Sequence, residues 1–193
     1  MNRWLAEDMR EDLADLYEES CATPPSESLR SHSRLDFLSR LSGDARRPGF
    51  AMVIAETVDL AGCAFGFPVR SDSLWWHGFD GALPLGVEQL TKSGCVFAIT
   101  HLLVRPHAQE LEVARRLQER LLADHQASLG VTLVAQDDHP ALDSIRSRGW
   151  QDLGDIWRPA GPMVFRVLVL PVGERTTQRL EGLALHTWTG WPE

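Results

Sequence analysis

Apolar residues return at helical spacing from the start of the chain. Leu5, Met9, Leu13, Leu16 and Tyr17 share one face, which predicts an amphipathic helix over residues 4–20. Thr23-Pro24-Pro25-Ser26 interrupts the pattern, and Leu35, Leu38 and Leu41 then mark a second helix over about 27–42 that stops near Gly43. Beyond the turn Arg46-Arg47-Pro48-Gly49 the period changes. FAMVIAE (50–56) and LAGCAFGF (60–67) are short apolar runs joined by Thr57-Val58-Asp59, the pattern of an antiparallel hairpin, closed by Pro68.

Residues 68–94 show no clear period and are rich in Gly, Pro, Ser and aromatics, so they are expected as one long irregular loop of functional character. VFAITHLLV (96–104) reads as a buried strand ended by Arg105-Pro106. Val113, Leu117 and Leu121 then place a helix over about 111–126, and VTLVAQ (131–136) follows Gly130 as a short strand. Asp137-Asp138-His139-Pro140 supplies acidic caps and a first-turn proline for a short helix to Arg148, with Gly149 as its stop. Strands at 152–158 and 163–170 complete the order. This is an α/β domain with a mixed sheet, antiparallel at first and parallel where the 111–126 helix crosses over. The domain is expected to span residues 1–171, with 172–193 as a disordered tail.

Composition narrows the partners. The 193 residues are 44% hydrophobic and 24% charged, as in soluble globular domains, and no apolar run approaches the roughly 20 residues of a membrane span. The first residues lack the apolar core of a signal peptide, which points to the cytoplasm. The three cysteines, Cys21, Cys63 and Cys95, have no paired spacing and read as reduced thiols, with no metal site. A net charge of −8 argues against general nucleic-acid binding, and the Arg115, Arg116, Arg120 cluster is interleaved with Glu112, Glu119 and Asp124. A monomer or a homodimer is equally compatible with this composition.

Two stretches carry a resemblance. LLVRPHAQELEVARRLQERLL resembles the acyl-CoA-binding motif of GNAT acyltransferases, where a strand ends in V-x-P and a turn Q/R-x-x-G-x-G/A opens a helix. Val104, Pro106, Gln109 and Ala114 match it, and helix N-terminal N–H groups in that motif hold a pyrophosphate. DHPALDSIRSRGW resembles the family's next signature, with Asp138 in place of its Asn, Ala141 as its Ala and Gly149-Trp150 as its ending. The resemblance covers about residues 4–171 and implies the GNAT fold, with acetyl-CoA or another acyl-CoA as cosubstrate. It places the cofactor against Leu102, Leu103, Val104, Gln109, Glu110, Leu111, Glu112, Val113, Ala114, Arg115, Asp138 and Ala141.

The chain departs from the family at two places. Glu112 replaces the central glycine of the turn and Glu110 a second position often held by glycine. Each carboxylate near a polyanion costs on the order of 1 kcal/mol at surface dielectric, unless Glu112 turns to solvent and complements its own helix dipole. The tyrosine that often protonates the leaving thiolate is Ile145 here, and the chain's one tyrosine, Tyr17, lies on the first helix. Water can reprotonate a thiolate in its stead.

The resemblance implies direct attack of an amine on the thioester, with the carbonyl oxygen held by backbone near Leu103 and Val104. The polar residue of that strand is His101, whose ordinary pKa near 6.5 suits a base; the other reading is a structural histidine hydrogen-bonded at a strand edge. Trp75, Trp76 and His77 wall an acceptor pocket or pack as an amphipathic segment. The expected function is transfer of an acyl group, acetyl first, to a small-molecule amine. Two alternatives stand beside it: a different donor, such as an acylated carrier protein or aminoacyl-tRNA, and an inactive GNAT-like interaction domain.

Overall fold

The computed structural model describes residues 2–20, 27–56, 59–106, 110–158 and 163–173. The N-terminal apolar stretch forms α1 (Asn2–Asp8) and α2 (Arg10–Ser20), and α3 spans Glu27–Ala45. The single helix expected over 4–20 is thus interrupted at Met9. Its hydrogen-bond ladder still crosses the break, from Met9 N–H to Leu5 and from Leu13 N–H to Met9. The bend lets Ala6 of one piece and Leu13, Ala14 and Leu16 of the other reach the same core. Gly43 does not stop α3. The helix continues until Ala45 is buried, and the chain turns at Gly49 instead, whose φ of 78° favours glycine.

The strands are β1 (Ala51–Glu56), β2 (Leu60–Pro68), β3 (Val96–Val104), β4 (Leu129–Ala135), β5 (Gln151–Arg158) and β6 (Met163–Pro171). Among the described residues they form one sheet in the order β1-β2-β3-β4-β6-β5. β3 and β4 are parallel and every other pair is antiparallel, as the alternation of strand and crossover helix predicts. The crossover helix α5 spans Glu110–Asp124, and α6 spans His139–Arg146. Asp138 caps α6 by accepting from the Ala141 N–H at 3.1 Å, Pro140 sits in its first turn, and Gly149 follows with φ 89°. Residues 68–94 are not wholly irregular. A 3-10 turn occupies Leu74–Trp76 and a further helix, α4, spans Leu85–Lys92, because Val87 and Leu90 pack with Leu83 against the sheet.

The sheet is covered on both faces. α1, α2 and α3 pack on one through Leu13, Leu16, Phe37 and Leu41 against Met52, Phe65 and Leu103. α5 and α6 pack on the other through Leu117, Leu121 and Leu142 against Phe97, Ile99 and Val104. No helix among the described residues is long and apolar enough to cross a membrane. Cys63 is buried in the first layer, where burial pushes its thiol up to about 12 and so leaves it an inert core residue. Cys21, Gln109 and residues 174–193 of the expected tail lie outside the described residues.

Candidate functional site

A local irregularity in β3 builds the site. Phe65 pairs with His101, but the next residue, Gly66, pairs with Ile99, so Thr100 is an extra residue on β3. Such a bulge bends its strand and reverses the side-chain alternation beyond it. Phe97 and Ile99 face α5, and past the bulge Leu102 and Val104 do. His101 and Leu103 are thereby turned to the opposite face. Gly66 makes the bulge possible, because a Cβ there would collide with the Ala98 carbonyl oxygen.

The bend also opens the sheet. β3 pairs with β4 only over Val96–Ala98 and Leu129–Val131, while β4 stays paired with β6 along its full length. Beyond Ala98 the two parallel strands diverge, so main-chain groups of β3 that a flat sheet would commit to β4 face open space. A cavity of about 460 Å3 fills the gap, lined by Leu102, Val134, Ala141, Ile145, Arg148 and Trp150 among others. A second cavity of about 420 Å3 lies beside it against Gly43, Asp44, Arg47 and Trp75. Arg40, Thr100, His101, Thr132 and Leu133 line both, so the two spaces meet at the bulge.

His101 occupies that junction. Its ring stacks on Phe65 at 4.8 Å and meets the edge of Phe37 at 5.2 Å. Its Nδ1 is buried without a hydrogen-bond partner. Burial, aided by the nearby Arg40 charge, pushes its pKa down to about 4, so the ring is a neutral imidazole at physiological pH. The departure from the ordinary value near 6.5 comes from burial against Phe65 and Phe37, which lie far away along the chain. Tyr17 stacks on Phe37 at 4.5 Å and so stands one ring behind His101.

The other expected site residues divide. Leu102, Leu103, Asp138 and Ala141 line the larger cavity. Val104 and Ala114 are buried in the core and Val113 packs against it, while Leu111 is exposed. Glu110 lies 3.8 Å from Arg148. Glu112 accepts hydrogen bonds from Arg115 and Arg116, which hold its carboxyl down at about 2. It is therefore matched on the surface by its own helix. Arg115 is further tied to Glu119 and does not line the cavity. Of the aromatic cluster, Trp75 reaches the second cavity, Trp76 donates to Thr91 Oγ1 at 3.1 Å, and His77 is exposed.

Sequence reading missed Arg40, Asp44, Thr100 and Arg148. Asp44 is a carboxylate whose pKa is raised by burial against the opposing pull of the Thr100 hydroxyl, Arg47 and Arg40. Arg148 has a side chain only 14% exposed, and its Nε is buried without a partner beside the larger cavity. Burial lowers its pKa against the opposing Glu110 charge. In sequence, Arg148 reads as a cation past a helix end, which ordinarily serves the helix dipole, and Asp44 as a surface acid in a turn beyond Gly43. No His, Cys, Asp and Glu group fit to hold a metal occurs among the described residues.

No protein-family profile matches the sequence, and no curated protein matches it. Solved structures match its fold. An aminoglycoside 6'-acetyltransferase of type Ii superposes with a TM-score of 0.55 at 12% identity, over 90% of this chain and 96% of that one. The PaiA N-acetyltransferase of Thermoplasma acidophilum, solved with coenzyme A, gives 0.54 at 11% identity over 89% and 96%. A protein of Desulfovibrio desulfuricans assigned to the acetyltransferases of the GNAT family gives 0.52 at 14% identity over 83% and 90%. At these identities the likeness is one of fold.

Proposed function

We propose that this chain, which has the GNAT fold, is an N-acyltransferase that moves an acyl group, acetyl first, from acyl-CoA to the amine of a small molecule. The observation that carries the reading is the divergence of β3 and β4 at the Thr100 bulge, which opens one cavity for a donor and joins it to a second for an acceptor. Leu102, Leu103, Asp138 and Ala141 form the donor groove, as the family resemblance implies, and Val104 fixes the strand that bears it. Glu110 to Arg115 supply the N-terminal end of α5, beside which the diphosphate belongs. Two carboxylates in that turn would repel it, but Glu112 is neutralised by Arg115 and Arg116 and Glu110 faces Arg148. The motive for a carrier protein or aminoacyl-tRNA as donor weakens accordingly.

In the proposed reaction the neutral amine attacks the thioester carbonyl carbon. The C–N bond forms, the C–S bond breaks, and the thiolate leaves to take a proton from water, since Ile145 offers none. Main-chain groups of β3 freed by the bulge receive the carbonyl oxygen. His101, neutral and placed where the two cavities meet, accepts the proton that the amine becomes ready to lose once the C–N bond forms. Trp75 walls the acceptor side, with Trp76 and His77 holding the turn that carries it.

Acetyl-CoA is expected to raise the melting temperature. At tenfold excess over Kd the stabilisation is about 1.4 kcal/mol, or about 3–5 °C for a domain of this size. No shift at millimolar acetyl-CoA in calorimetry would remove the reading. Arg148 is expected to contact the diphosphate, because it is the buried cation beside Glu110 with a donor to spare. Arg148→Gln should weaken coenzyme A binding about tenfold while leaving pantetheine, which lacks the diphosphate, unaffected. Equal losses for both ligands in titration calorimetry would show damage to the groove instead.

A further inference from the structure

The second cavity has a charge pattern that selects its occupant. Asp44 stands at the end of α3 with its side chain 14% exposed, and Arg47 Nε lies 3.5 Å from its Oδ1. Arg47 is held in place by stacking over the Phe67 ring at 4.4 Å. Arg40 lines the same cavity and has no ion pair among the described residues, whereas Arg34, earlier on the same helix, is tied to Glu11, Asp15 and Glu18. Arg158 stands behind, but its guanidinium donates to the carbonyl oxygens of Leu74, Trp75 and His77 and is committed there. The cavity thus offers two guanidinium groups and one carboxylate, side by side.

A polyamine would meet a net positive wall, and a simple anion would be pressed against the buried Asp44 carboxylate. A molecule with one amine and one carboxylate satisfies both. Asp44 shares the cavity wall with Thr100 and His101, the residues that also line the donor groove, so the amine belongs there, beside His101. Arg40 and Arg47 then take the carboxylate, for which a guanidinium fork is the matching partner. The protein's opposite charges are neighbours, so the ligand's must be neighbours too. From this juxtaposition we infer that the acceptor is an α-amino acid, or a near relative with its carboxylate within a few bonds of the reacting amine. Trp75 closes the side-chain end of the cavity, and its Nε1, buried without a partner, is a further donor for the acceptor's oxygen.

The inference rests on the acyl-transfer reading, and the test separates the two. Release of the coenzyme A thiol from acetyl-CoA is followed with the twenty protein amino acids, each compared with its amide and its decarboxylated amine, and with spermidine. The best amino acid is expected to exceed its amine at least tenfold in kcat/KM. Arg47→Gln should bring that ratio towards one, chiefly by raising KM for the acid. Arg47 is half exposed, so the variant should fold, and circular dichroism checks that it does. A protein that binds acetyl-CoA yet prefers the amines or spermidine, or turns over no amino acid, overturns the acceptor assignment alone. A protein that binds no acetyl-CoA overturns both.

Discussion

Gly66→Ala is expected to cost about 3 kcal/mol or more of folding stability and to abolish acyl transfer in whatever protein remains folded. The Cβ would enter the Ala98 carbonyl oxygen and stand 2.8 Å from the Ala98 carbonyl carbon and 3.1 Å from the Ile99 Cα. All three atoms belong to the backbone of a central strand, so no rotamer change relieves the clash. The strand must either separate from β2 or lose its bulge. Losing the bulge would turn His101 towards α5 and return β3 to β4, closing the gap between the cavities. Urea denaturation gives the cost directly. A loss below about 1 kcal/mol would show that the sheet accommodates a side chain there and that the bulge has another cause.

His101→Gln is expected to reduce turnover about 100-fold with acetyl-CoA binding retained, because in the proposed reaction the imidazole acts on the amine and touches no nucleotide. His101→Ala should do the same in turnover and also leave a void between Phe37 and Phe65. Near-normal turnover in both would mean that water or another group takes the proton. The same residue predicts an acid sensitivity. Its pKa is about 4 in the fold, against 6.5 ordinarily. Between those values the unfolded chain binds a proton that the folded protein does not, so stability falls as pH drops through that window. Above pH 6.5 the contribution is fully present, and by pH 4 it has lost up to about 3 kcal/mol. His101→Gln should flatten that slope when denaturation is compared at pH 7.5 and 4.5. The wild-type rate should also show no inflection near pH 6.5 from this group. An inflection there, lost in the variant, would place His101 in water rather than between aromatic rings.

The architecture was legible because its elements differ in period. Leu5 to Tyr17 repeat as a helix, LAGCAFGF and VTLVAQ are short unbroken apolar runs, and Asp138, Pro140 and Gly149 mark both ends of α6 by local chemistry. α4 escaped notice because Leu83, Val87 and Leu90 sit among Gly and Pro and make barely two turns. The site was less legible for a different reason. Which face His101 occupies depends on the parity of β3, and that parity is set by Thr100 and by Gly66 on another strand. No window around His101 contains that information. Its lowered pKa depends on Phe37 from α3 and Phe65 from β2, two elements remote in sequence. Asp44 and Arg148 illustrate the same limit: each resembles an ordinary surface charge until packing brings it to a cavity. Glu112 is read from the sequence as an acid that complements its own helix dipole, and the structure adds the ion pairs with Arg115 and Arg116.

The segment that carries Trp75 also meets the outer edge of the sheet. Trp157 of β5 donates its N–H to the Gly78 carbonyl, Asp80 donates to the Asp155 carbonyl, and Phe79 bridges to Ile156. Exposed edge strands invite pairing with other chains, and this one is capped by the same stretch whose Trp75 lines the proposed acceptor cavity. Under the proposed function, substrate choice and resistance to aggregation are therefore inherited together. A graft that replaced the whole stretch to admit a new acceptor would bare β5 and favour intermolecular sheet growth. Directed changes of selectivity have a safer path: vary residues 70–76 and leave Gly78, Phe79 and Asp80 in place, so that the wall changes while the cap survives.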